Sequence, residues 1–321
     1  MQHKVSVIIP THKRELRLVK RAVESVVNQT YGDVEVVVVD DSPADYAERE
    51  NIASYMSTVQ SGGGVQYIQN KEPMGGSLSR NVGIAAAKGD YITFLDDDDE
   101  YLPKKVENQL GFMLENGCDL SFCNMIMYNE AGKVVDYRDH PGIKDFKNNT
   151  LLRYHLTKNL SGTPTFMFRT EKLREIGGFP DAKMGQDFYM MLKAIESGLE
   201  IRYVETCDIK VYKHSSGGIS QGRNKIDGEN ALYEFKKQYF NRLSKSEIRF
   251  VKFRHYAVMV VAYLRNKKVL SAAGMGFMAF VSSPGDFFRE VFGFFGRIVK
   301  HKNYENEAPA KTEKLSETIT K

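Results

Sequence analysis

The sequence predicts an α/β fold, a doubly wound and mostly parallel sheet followed by a helical C-terminal extension. Three observations predict it. The runs Val5–Ile9 and Val34–Val39 are rich in β-branched residues and too continuous for strands with one face in water, which points to buried parallel strands. Between them Leu16, Val19, Ala22, Val23, Val26 and Val27 recur at helical spacing, so the first forty or so residues read as strand, helix, strand with a right-handed crossover. The pattern then repeats further along the chain.

The repeat begins with a short strand at Val65–Ile68. A helix of small residues follows over Ser77–Ala87, ended by Lys88-Gly89, and then a buried strand at Tyr91–Leu95. Asp119–Met127 reads as a further strand, Leu173–Gly178 and Phe188–Gly198 as short helices, and Glu200–Tyr203 as a strand before a Gly/Ser-rich loop at 215–222. Helical signals dominate from Asn230. In doubly wound sheets ligands gather beyond the carboxyl ends of the strands. Pro10-Thr11-His12, Asp40-Asp41-Ser42 and Asp96–Asp99 are therefore expected to meet.

The domain organisation expected is a catalytic domain over 1–225, divided into halves at 1–115 and 116–225. A basic amphipathic helical region at 226–305 and a disordered tail at 306–321 complete it. The tail alternates charge with Thr and Pro and has few apolar residues. With 321 residues, 42% hydrophobic and 27% charged, the chain has ample material for a packed core. The longest apolar stretches, about nine residues at Tyr256–Leu264 and about thirteen at Ser271–Ser283, fall short of the roughly 20 that span a bilayer as a helix. The N-terminus has no signal-peptide pattern, so a cytoplasmic location is expected. Cys118, Cys123 and Cys207 lack zinc or redox spacing and read as reduced, buried thiols.

Asp96 through Glu100 put five carboxylates in succession after a buried strand, where their repulsion calls for a compensating cation. Mg²⁺ or Mn²⁺ suits such a place, since these ions take oxygen ligands from one or two carboxylates together with substrate phosphates.

Four segments, VSVIIPTHKR, VVVVDDSP, GGSLSRNVGIAAAKGDYITFLDDDD and GQD, stand in the order found in family-2 glycosyltransferases of the GT-A fold, and the chain resembles that family over about residues 4–220. The resemblance implies an inverting, metal-dependent glycosyltransferase. Its donor would be a nucleotide-diphosphate sugar, with UDP as the nucleotide. Pro10, Thr11 and His12 match the segment that cradles base and ribose, His12 standing where Tyr is common. Asp41 matches the acid that hydrogen-bonds the uracil ring, and Arg80 a residue near base and phosphate. Asp96 and Asp97 would lie beside ribose and donor sugar, and Asp98 would hold the metal, Mn²⁺ or Mg²⁺. Asp187 matches the general base, with Gln186 in place of the usual Glu. His214 matches a loop residue that reaches the metal or diphosphate. The acceptor implied is a glycan or a lipid-linked sugar, within surface polysaccharide or related glycan biosynthesis.

Two other classes compete. Nucleotidyl transfer would need a Gly-rich triphosphate loop after the first strand, and Thr11-His12-Lys13-Arg14 has no Gly. A non-catalytic sugar-nucleotide-binding protein would not need Asp98 and Asp187 intact.

From residue 231 to 305 the sequence holds 14 Lys and Arg against five acids, a local charge of about +9. Phe287, Phe288, Val291, Phe292, Phe294 and Phe295 fall at helical spacing there, with Ile298 and Val299 continuing the face. Such a helix either packs on the catalytic domain or attaches the protein peripherally to the anionic inner face of the cell membrane. Nucleic acid is not an expected partner.

Overall fold

The computed structural model describes residues 3–160, 162–213 and 222–289. The expected loop at 215–221, His214, the Phe-rich helix beyond residue 289 and the tail at 306–321 lie outside the described residues. The chain forms two compact units. The first takes residues 3–142 and 162–213, the second residues 143–160 and 222–289. The sequence reading placed residues 143–160 with the catalytic domain and drew the boundary at 225.

In the first unit β1 (Val5–Thr11), α1 (Leu16–Val27), β2 (Val34–Asp40), α2 (Arg49–Gln60), β3 (Val65–Gln69), α3 (Gly76–Ala86) and β4 (Tyr91–Phe94) alternate strand with helix. Next come β5 (Glu100–Tyr101), α4 (Lys105–Asn116), β6 (Leu120–Cys123), β7 (Met125–Asn129) and β8 (Val134–Arg138). The second unit contributes α5 (Asn148–Lys158), after which the first resumes with β9 (Phe166–Arg169), α6 (Thr170–Glu175), α7 (Gln186–Glu196), β10 (Ile201–Val204) and β11 (Ile209–Lys213).

One sheet has seven strands in the order β10-β6-β9-β4-β1-β2-β3, parallel except for β9, which runs antiparallel to both β4 and β6. The chain moves outward from β1 through β2 to β3, then returns to lay β4 on the other flank of β1. That reversal makes the carboxyl ends of β1 and β4 a switch point, the place where open α/β sheets bind their ligands. The apolar stripe of α1 packs on this sheet, with Val19, Ala22, Val23 and Val26 fully buried beside Val7, Ile9 and Val38. Val27, counted in that stripe by spacing, ends the helix and is 53% exposed.

A second sheet, β5-β11-β7-β8, arises because the single strand read at Asp119–Met127 is two. Buried Asn124 separates them. Its N–H donates to Thr206 O (2.9 Å), and its side-chain amide donates to Glu205 O and Tyr137 Oη (both 3.2 Å). A polar residue satisfied in this way turns the chain, so β6 pairs in the large sheet and β7 in the small one.

In the second unit α9 (Lys245–Arg265) packs against α5, α8 (Gly222–Lys237) and α10 (Val269–Ser282). A capping box of Ser244 and Glu247 starts α9, and Arg153 of α5 grips the same Glu247 with two nitrogens, Nε at 3.0 Å and Nη2 at 2.8 Å. Among the described residues no helix is long and apolar enough to cross a membrane.

The seating of α3 on β1 depends on a missing side chain. A Cβ at Gly83 would lie 2.5 Å from Cγ2 of fully buried Ile8. Gly83→Ala should therefore destabilise the protein by about 1–3 kcal/mol through overpacking. Gly111→Ala, in open space within α4, should stabilise it by about 0.5–1 kcal/mol. Urea unfolding of the two variants checks the pair; equal midpoints would contradict this close approach.

Candidate active site

The three expected strand ends do meet. Asp41 N–H donates to Thr11 O at 2.8 Å, and Lys13 N–H, on a residue with φ of 48°, donates to Ser42 Oγ at 2.9 Å. His12 Nδ1–H donates to Asp41 O at 2.7 Å, a direction fixed because a carbonyl can only accept. Leu95 N–H donates to Ile8 O at 3.0 Å, carrying the segment after β4 alongside β1. Thr11 is buried, Pro10 is half-buried and the His12 ring is half exposed.

Asp40 and Asp41 divide their work. Fully buried Asp40 accepts from Tyr67 Oη (2.6 Å) and Ser42 N–H (2.9 Å) and lies 3.6 Å from Arg49 Nε, so it locks the end of β2 to its neighbours. Asp41 accepts from Asn70 Nδ2 (2.7 Å) and from the backbone N–H groups of Met74 (2.9 Å) and Gly75 (2.8 Å). It therefore fixes the turn that launches α3, with Gly75 at φ 89° just before the helix. A carboxylate offers about four acceptor positions, so Asp41 has roughly one left.

The acid run after β4 is largely balanced by protein cations and donors. Arg14 bridges two of its members, Nε to Asp97 Oδ1 at 2.9 Å and Nη2 to Asp98 Oδ2 at 3.0 Å. Arg80 Nη2 pairs with Asp96 Oδ1, Tyr212 N–H donates to Asp99 Oδ1 at 2.9 Å, and Lys210 Nζ reaches Glu100 Oε1 at 3.1 Å. Arg21 donates to the Asp98 carbonyl while its guanidinium lies 4.1 Å from the centre of the Tyr212 ring. Burial pushes the Asp97 carboxyl up to about 7, with Arg14 pulling it down. Burial, reinforced by the charges of Asp96 and Asp98, also holds Asp99 well above the usual carboxylate range. Asp96 and Asp98 retain solvent-facing side-chain surface, 38% and 17%, which Asp97 and Asp99 do not.

Helix α3 links this cluster to the start of α7. Arg80 donates through Nη1 to Gln186 Oε1 at 2.6 Å as well as to Asp96. One residue on, Asn81 pairs with the backbone of Phe179 in both directions, at 2.8 Å each, and Ser77 Oγ donates to Ala182 O at 3.2 Å. Gly185, at φ 74°, then turns the chain into α7. Asp187 sits half-buried in the first turn, and its carboxylate has no hydrogen bond or ion pair among the described residues.

The donor set fits a divalent ion shared with a ligand rather than a closed metal cage. Among the described residues no group of three or more His, Cys, Asp or Glu is placed to hold a metal, whereas the two partly exposed carboxylates Asp96 and Asp98 match the one or two protein ligands that Mg²⁺ or Mn²⁺ takes beside phosphates. Arg14, Arg21 and Tyr212 carry the cluster without having been singled out from the sequence. Arg14 stands in the turn after β1 and Arg21 on the polar side of α1, where basic residues ordinarily mark only solvated surface.

The sequence model of glycosyl transferase family 2 matches residues 6–177. WcaA of Escherichia coli, provisionally named a colanic acid biosynthesis glycosyl transferase, is 26% identical over 83% of this chain and 89% of its own. An uncharacterized glycosyltransferase of Rickettsia felis is 28% identical over 76% of this chain, which spans 39% of that protein's length. Among solved structures, residues 1–349 of TarS from S. aureus in complex with UDP-GlcNAc superpose with a TM-score of 0.57 at 20% identity, covering 87% of this chain and 91% of that one. With the family match extending over more than half of its residues and the fold shared with TarS, the chain belongs to glycosyl transferase family 2 and is a glycosyltransferase of the GT-A fold.

Proposed function

We propose that this enzyme transfers a sugar from a nucleoside diphosphate to an acceptor hydroxyl in one displacement that inverts the anomeric carbon. The observation that carries the proposal is the chain of contacts from Asp96 through Arg80 to Gln186, which ties the acid run to Asp187, whose carboxylate has no partner among the described residues. A carboxylate with no competing donor is free to accept a proton, and a general base is what an attacking hydroxyl requires.

The remaining roles follow from position. Pro10, Thr11 and His12 line the strand end where base and ribose would lie, and Asp41 offers its remaining acceptor position to the base. A uridine diphosphate sugar is the donor this reading takes, the ligand class held by TarS on the same fold. Asp96 and Arg80 face the donor together, and Arg80 Nε is a buried donor with no hydrogen-bond partner among the described residues. Asp97, pinned by Arg14, orients the run rather than meeting water. Asp98 would hold Mn²⁺ or Mg²⁺, with His214 as a second contact. When bound, such an ion stabilises the charge that collects on the departing diphosphate. The single displacement needs no covalent enzyme intermediate, because base and leaving group lie on opposite faces of the sugar. WcaA's assignment to colanic acid supports surface polysaccharide biosynthesis as the setting, with a growing glycan or a lipid-linked sugar as acceptor.

Asp187→Asn should lower turnover by about 10²–10⁴-fold, the usual contribution of a general base, while leaving donor affinity by calorimetry nearly unchanged. Retained turnover would remove Asp187 from the mechanism. Asp98→Ala should weaken donor binding in Mn²⁺ by at least about tenfold and leave binding without metal as it was; equal loss in both conditions would assign Asp98 to the fold instead of the ion.

A further inference from the structure

We propose that the second unit seats on an anionic lipid surface through the outer face of α10. The helix is built inside out. Its inner face offers the small, buried Ala272 and Ala279 and the partly buried Met275, which packs on Ile226, Met259 and Ala262, while most of its large apolar side chains point to solvent. Val269, Leu270, Phe277 and Val281 are 64%, 90%, 66% and 56% exposed. Leu270, Phe277 and Val281 are seven and four residues apart, so they share one stripe. The helix contains no charged residue at all. An isolated exposed Leu needs no explanation, but a stripe of large apolar residues on a helix without a single charge marks an interaction surface.

The aromatic surface continues past the helix. The rings of Phe280, Phe287 and Phe288 meet edge-on at 5.6–5.9 Å between centres, with Phe280 38% and Phe288 50% exposed. Basic residues bracket the patch. Arg265, Lys267 and Lys268 stand exposed before α10 and Arg289 after it.

Charge selects the occupant. From Lys245 to Arg289 the sequence has eight Lys and Arg and two acids, 8 − 2 = +6, and both acids already serve cations, Glu247 with Arg153 and Asp286 with Arg289. A second copy would set this charge against itself, whereas an anionic bilayer complements it. At 14 residues α10 is roughly 21 Å long, short of the ~30 Å hydrocarbon core, so it would lie in the plane of the interface with its apolar stripe sunk into the headgroup boundary. The Phe-rich stretch from Phe287 onward, from which the sequence suggested attachment, begins just beyond this helix. The inference rests on the second unit alone and is independent of which sugar the first unit transfers.

The chain has no Trp, so Phe277→Trp places a single reporter at an exposed position of the full-length protein. With vesicles of equal parts phosphatidylglycerol and phosphatidylcholine its emission should shift to the blue and be quenched by brominated acyl chains. Phosphatidylcholine alone, or high salt, should leave it as in buffer. In co-sedimentation, the combined variant Leu270→Ser/Phe277→Ser/Val281→Ser should partition at least tenfold more weakly than wild type. Lys267→Gln/Lys268→Gln should lose about 25-fold, each basic residue near a charged membrane being worth roughly fivefold. Circular dichroism establishes that the variants fold. No emission shift with anionic vesicles would overturn the proposal. So would unchanged partitioning of the triple Ser variant, or a dimer in light scattering that this variant dissolves, which would make the face a contact between copies.

Discussion

Five carboxylates at the end of a strand buried in the middle of a sheet form the constraint around which the first unit is arranged. Left to themselves, Asp97 and Asp99 would take up protons, and the rising carboxyl values that burial imposes on both show the tendency. Cations converge on the run from separate parts of the chain: Arg14 from the turn after β1, Arg80 from α3 and Lys210 from β11. The repulsion that first suggested a metal is thus met mostly by protein. The partly exposed pair, Asp96 and Asp98, is where the proposed function would seat a ligand-borne ion beside the fixed cations.

Helix α3 is the member that transmits this order. Its start is pinned by two backbone hydrogen bonds to Asp41, its middle sits close on Ile8 because residue 83 has no side chain, and its first turns grip the segment leading to Asp187 through Ser77, Arg80 and Asn81. Asp41 is consequently a structural acid as well as a candidate base-recognition group. Removing it would strand two backbone N–H groups, each costing on the order of 1–3 kcal/mol, so loss of donor binding in an Asp41 variant would mix recognition with fold.

The parts of this architecture legible in the sequence are those set by burial on both faces of a strand. Val5–Ile9, Val34–Val39 and Tyr91–Leu95 could be nothing else, and their order placed residues 10–12, 40–42 and 96–99 together before any coordinates. The helix carrying Asp187 was legible too, starting two residues earlier than its apolar run implied. Other elements depend on partners distant in sequence and left no local trace. Asn124 sits among apolar residues and reads as mid-strand until Thr206 and Glu205 claim its polar groups. α2 buries only Ile52 and Met56 among its apolar side chains, too sparse a stripe to stand out. Residues 143–160 join the second unit through contacts such as Arg153 with Glu247, 94 residues away. Arg14 and Arg21 carry no local signal because the groups they serve, the Asp97 carboxylate and the Asp98 carbonyl, lie some eighty residues on.

The central claim is that this strand end binds a nucleoside diphosphate through a shared divalent ion. Titration calorimetry of UDP into the wild-type protein tests it most directly, in Mn²⁺, in Mg²⁺ and after chelation. Affinity at least tenfold higher with metal than in its absence is the predicted result. The same affinity in all three conditions would contradict the account and leave the charge to protein cations such as Arg14 and Arg80.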